Sequence, residues 1–124
     1  MKFTKTNDIN GTHLQGNVGA TYQELVQVFG EPKRYESDGT TNLDNKVDVE
    51  WSIKFEDGTV ATIYNYKNGI NYMGAKGLRV TEMELFNIGG YDERAVILVN
   101  DEVIEWQYRL HQTGKSTNNL VEVE

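Results

Sequence analysis

Chemistry in this chain would have to come from carboxylates, two histidines, scattered hydroxyls and a few basic side chains, because there is no cysteine. Asp48 and Glu50 stand two residues apart in a run that reads as a strand, as do Glu82 and Glu84. Each pair therefore shares a face, as a general acid and base could, although such pairs are ordinarily the wet side of a sheet. His13 and His111 are far apart, and neither has a second histidine or a carboxylate at helical ligand spacing. A metal site would have to gather carboxylates from distant segments. Ser37, Ser52 and Ser116 lack the elbow motif of a hydrolase nucleophile. Gly114-Lys115-Ser116 has the ending of a phosphate-binding loop, but Arg109 stands where the first glycine is required. No metal, cofactor or catalytic constellation is predicted.

Binding chemistry is better represented. Between Asn68 and Arg79 all periodicity stops, and Gly69, Gly74 and Gly77 alternate with Asn71, Tyr72, Lys76 and Arg79. This stretch is the predicted functional loop, with the acidic strand face at Asp48 and Glu50 beside it. Gly89-Gly90 precede a helix and could offer amides to an anion, with Lys67, Lys76 and Arg79 supplying positive charge. Asp92 and Glu93 compete for the same helix dipole. Trp51, Tyr64 and Tyr66 could stack a base, but their alternation reads as core under a helix.

The elements that must position these residues are legible. Val47, Val49, Trp51, Ile53 and Phe55 alternate with polar residues, Asp57-Gly58 supplies a turn, and a second run follows to Lys67. A two-residue turn would pair Phe55 with Val60, Ile53 with Thr62, Trp51 with Tyr64 and Val49 with Tyr66, placing every large side chain on one face. Residues 12–18 suggest a short edge strand. Thr21-Tyr22-Gln23-Glu24 reads as a capping box for a helix over 22–29, stopped by Gly30 and Pro32. Residues 33–45 read as a wide connection. A further strand is expected over 79–88, and a long helix over about 92–112 with Val96, Val99, Val103, Trp106 and Leu110 toward the sheet. The ends, 1–11 and 113–124, read as flexible, the latter carrying Leu-Val-Glu-Val-Glu, which could add to a sheet edge and pair two copies.

The chain has 124 residues and a net charge of −7, which matches one α+β domain, order β-α-β-β-β-α. The negative charge disfavours direct nucleic-acid and membrane binding and does not exclude a basic protein partner. Without cysteine, a signal-peptide core or a run near ~20 apolar residues, cytoplasm is the expected location.

Two resemblances follow from particular residues. Thr21-Tyr22-x-x-Leu25-x-x-x-Phe29-Gly30-Glu31-Pro32, then Glu50-Trp51, FEDGTVATIYNYK, Ile88-Gly89-Gly90 and Ala95-Val96 resemble a family of small bacteriophage-encoded proteins. The resemblance implies a phage context, and with it a non-enzymatic inhibitor of a host protein, such as a CRISPR nuclease or another defence component, working in the host cytoplasm. The alternative is a small-ligand binder or a sponge for a signalling nucleotide, and a third reading is a carboxylate-metal enzyme. Residues 19–67 are also similar to the helix and hairpin module of SmpA/OmlA-type lipoproteins and β-lactamase inhibitor proteins, which supports a helix-on-sheet layout.

Overall fold

The computed structural model describes residues 1–35 and 46–112. The Leu-Val-Glu-Val-Glu tail, Gly114-Lys115-Ser116, Ser37 and most of the connection after Arg34 lie outside the described residues.

A capping box opens the first helix, α1 (Tyr22–Phe29), as its sequence dictates. The Thr21 hydroxyl accepts from the Glu24 amide at 3.1 Å, and the Glu24 carboxylate accepts from the Thr21 amide at 2.9 Å. Gly30 closes it with a positive φ of 88°. The strands are β1 (Phe3–Lys5), β2 (His13–Gly19), β3 (Lys33–Arg34), β4 (Val49–Phe55), β5 (Val60–Tyr64) and β6 (Leu85–Gly90). They form one antiparallel sheet in the order β1-β4-β5-β6-β2, with β3 also pairing β4. A short helix, α2 (Ile70–Met73), lies between β5 and β6, and the long helix α3 (Arg94–Gln112) follows β6.

The α+β class holds, and the expected loose lead-in is corrected. Phe3 pairs with Phe55 in register, and its ring lies 5.2 Å from Phe29 and 5.7 Å from Phe55. An isolated apolar residue in a polar stretch thereby ties residues 3–5 to the sheet. Lys33 and Arg34, expected in a connection, form β3 against Glu50 and Val49.

The hairpin register differs from expectation by one residue. Trp51 pairs with Ile63 and Ile53 with Ala61, not with Tyr64 and Thr62. The cause is the turn. The Phe55 carbonyl accepts from Gly58, and the Phe55 amide donates to Thr59, so Glu56, Asp57 and Gly58 form a three-residue loop with Gly58 at φ 93°. A turn followed by a left-handed glycine adds one residue to the loop and reverses which side chains of β5 face the core. Ala61 and Ile63 are therefore fully buried with Trp51, Ile53 and Phe55. Tyr64 and Tyr66, expected in the core, are not part of it.

Helices α1 and α3 share the covered face, where Leu25, Phe29, Trp51, Phe86, Ile88 and Val99 belong to one buried cluster. Each such side chain contributes roughly 1.5–3 kcal/mol of transfer free energy. Trp51 also donates from Nε1 to the Gly30 carbonyl at 2.7 Å, which locks the end of α1 onto the sheet. Helix α3 starts two residues later than expected because the Asp92 side chain caps the Arg94 amide at 3.0 Å. Ala95 and Leu98 join Val99 and Val103 in the core, whereas Trp106 and Leu110 are only partly buried.

Candidate functional site

Asn65 follows β5 and is 1% exposed. Its side-chain oxygen accepts from the amides of Asp48 at 2.8 Å and Val49 at 3.1 Å. Its amide group donates to Asp48 Oδ1 at 2.8 Å and to Asn68 Oδ1 at 3.1 Å. The other Asp48 oxygen accepts from the Asn71 amide at 3.3 Å, and Asn71 donates in turn to the carbonyls of Tyr35 at 2.7 Å and Val47 at 3.0 Å. One buried amide and one carboxylate thus fasten the start of β4 to the loop after β5. A satisfied network of this kind rigidifies what it holds.

Above this network the chain forms α2, a 3-10 turn over Gly74–Lys76 and another over Val80–Glu82. The loop closes on itself, because the Leu78 amide donates to the Asn68 carbonyl at 2.9 Å and Gly69 and Leu78 form a bridge. A Cβ on Gly69 would collide with the Asp48 carboxylate, and one on Gly77 with the Gly69 carbonyl. Two of the three glycines therefore serve close packing, not ligand access.

The loop turns apolar groups outward. Tyr66, Ile70, Tyr72, Met73 and Leu78 are each between 45% and 48% exposed. Lys67, which has φ 61°, places its ammonium 5.4 Å from the Tyr66 ring centroid and 5.6 Å from that of Tyr72. Lys76 is exposed, and Arg79 begins the second 3-10 turn with its amide on Glu82. Arg34 and Arg79 line a cleft of about 300 Å³ beside the loop, together with Tyr35, Asp48 and Ile70.

The predicted site residues consequently separate. Lys67, Tyr72, Lys76 and Arg79 stay together on the loop surface, while Asp48 and Asn71 are consumed by the network beneath it. Glu50 alone represents the acidic strand face, its Oε1 accepting from the Tyr35 hydroxyl at 2.8 Å. Gly89 and Gly90 lie inside β6 with register partners in both β2 and β5, so the expected amide site for an anion does not form. Gly90 is instead where α3 approaches, since a Cβ there would meet Ala95 at 2.5 Å.

No family model matches the chain, and no curated protein or solved structure does either. Sequence reasoning overlooked Asn65, whose signal was a polar residue at an inward position once the register is known. It also misplaced Tyr64, which lies on the sheet face opposite the helices. Burial, followed by the charges of Glu50 and Tyr66, raises the Tyr64 hydroxyl above its ordinary value. Among the described residues no group of three His, Asp or Glu side chains could hold a metal ion. No helix among them is long and apolar enough to cross a membrane.

Proposed function

We propose that this is a non-enzymatic binding protein that grips a host protein through the loop Tyr66–Arg79 and, as the resemblance to phage proteins implies, inhibits it, a defence nuclease being the first partner to test. The observation that carries the reading is the apolar surface of Tyr66, Ile70, Tyr72, Met73 and Leu78, presented by a loop that is fastened from below. Exposed apolar surface rimmed by polar groups marks interaction sites, and aromatic residues with pre-set geometry bind at a low entropic cost.

The test is capture from host lysate by tagged wild-type protein and by Tyr72→Ala and Met73→Ala variants of equal thermal stability. A stoichiometric protein held by wild type and released by both variants supports the reading. A partner retained equally by all three removes the loop from the interface. The cleft between Arg34 and Arg79 favours a second reading, the anionic small ligand or signalling nucleotide. A thermal shift with a nucleotide panel that disappears in Arg79→Ala supports it, and no shift with any nucleotide counts against it.

A further inference from the structure

On the sheet face opposite the helices, Glu50 projects from β4 next to Tyr64, its register partner on β5. The carboxylate is half-buried, and it has no ionic partner among the described residues. Among the described residues the ion pairs are those of Met1 with Glu102, Arg34 with Glu31 and Arg94 with Asp57. Lys33, the register partner of Glu50 on β3, holds its ammonium 4.9 Å from the Tyr35 ring centroid instead. Glu50, Tyr64, Tyr66, Thr62 and His13 line a cleft of about 210 Å³ in which no Lys or Arg of the described residues takes part.

The floor of this cleft is built. A Cβ on Gly89 would come within 2.5 Å of the Thr62 hydroxyl and 3.4 Å of the Tyr64 ring, so glycine is what lets the tyrosine lie across β6. Thr62 is 3% exposed although no helix among the described residues covers this face. The Tyr35 hydroxyl occupies Glu50 Oε1 and holds the carboxylate in one orientation. A half-buried carboxylate without a counter-ion among the described residues gains from an arriving cation, and tyrosine faces attract cations. Lys67 already uses Tyr66 in this way on the Tyr72 side.

We infer that this cleft receives an arginine side chain presented by a protein partner, the guanidinium pairing with Glu50 and stacking on Tyr64. Arginine fits better than lysine because its planar fork can meet a carboxylate and an aromatic face together. The inference rests on the protein-binding reading and names the chemistry of the partner. It places a second contact on the open sheet face, beside the apolar loop.

The test needs no partner and can fail independently of the capture experiment. The ¹⁵N-labelled protein is titrated with N-acetyl-arginine N-methylamide, its neutral citrulline counterpart, the lysine counterpart and choline, while amide shifts are followed. The expected result is saturable movement of Glu50, Tyr64 and Gly89 with the arginine probe. Binding should weaken about tenfold or more with citrulline and in Glu50→Gln, the loss typical of removing one partner of a charged hydrogen bond. Movement spread evenly over all acidic residues, or equal titration by citrulline, overturns the site. Choline or the lysine probe binding more tightly than arginine overturns the assignment of the occupant. The citrulline comparison on wild-type protein decides the matter even where Glu50→Gln fails to fold.

Discussion

Asn65 uses one side-chain amide for four hydrogen bonds, two received from backbone amides and two donated to Asp48 and Asn68. Replacing it with alanine would leave the Asp48 and Val49 amides and one carboxylate oxygen without partners in a buried place. We expect Asn65→Ala to cost about 2–4 kcal/mol in chemical denaturation, the range for stranding more than one buried polar group. Asp57 acts at the surface and through pH. Its carboxylate accepts from the Thr59 amide at 2.9 Å and from Arg94 Nε at 2.7 Å. These bonds, that from the Thr59 backbone first, lower it from an ordinary 3.8 to about 2. A depressed carboxyl stabilises the fold above its unfolded value and loses that contribution as pH falls through the folded one. Between about pH 4 and pH 2 the denaturation midpoint of wild type should therefore fall more steeply than that of Asp57→Asn. Parallel acid limbs for the two proteins would show that the turn carboxylate contributes nothing to the acid sensitivity of the fold.

At the scale of elements, the hairpin decides which side chains β5 commits to the core. Ile63 pairs with Trp51 and is fully buried, whereas Tyr64 lies on the open face. Ile63→Ala should cost about 2–5 kcal/mol, the cost of emptying a packed site, and Tyr64→Ala clearly less. The reverse order would indicate the two-residue register. Both strands and the Asp-Gly turn were legible in the sequence, but alternation in β5 was not decisive. Val60, Thr62, Tyr64 and Tyr66 form as apolar a set as Ala61 and Ile63, and the choice between them rests on a loop one residue longer. The capping box of α1 was readable because both its partners are local in sequence. The Asp48–Asn65–Asn71 network was not, since it joins three segments that only the folded sheet brings together. The same limit applies to the candidate site: composition marked the loop, but not which residues support it and which face outward. Gly77 belongs to the support. Gly77→Ala would press on the Gly69 carbonyl and should cost about 1–3 kcal/mol, the usual range for overpacking. Hydrogen exchange at the Leu78 amide should accelerate with it, because that amide closes the loop.

Across the whole molecule, sheet order and chain order diverge, and this sets a sequence of assembly. β4 and β5 are joined by four residues, three of them in the turn loop, so their pairing closes a small loop. β6 joins β5 after the binding loop and brings α3 directly behind it. β2 precedes all of these in the chain yet, among the described strands, pairs with β6 alone, at the far side of the sheet. Closing the segment between β2 and β6 carries the larger entropic cost, which is offset only once β6 and α3 offer Val18 a surface to pack on. The nucleus should therefore comprise β4, β5, β6 and the first turns of α3, with β2 docking late. Stopped-flow chevrons test this with two conservative deletions of buried methyl groups. Ile63→Val should chiefly slow folding, with φ of about 0.5 or more, and Val18→Ala should chiefly speed unfolding, with φ of about 0.3 or less. A high φ at Val18 would place the β2–β6 pairing in the transition state and reverse the order. Under the expected order, both proposed contact regions, the loop after β5 and the cleft lined by Glu50 and Tyr64, are carried on the part of the sheet that forms first. Loss of β2 by local opening would then remove His13 from the cleft wall but leave the loop, Glu50 and Tyr64 supported, and binding should tolerate destabilisation of that edge better than destabilisation of the hairpin.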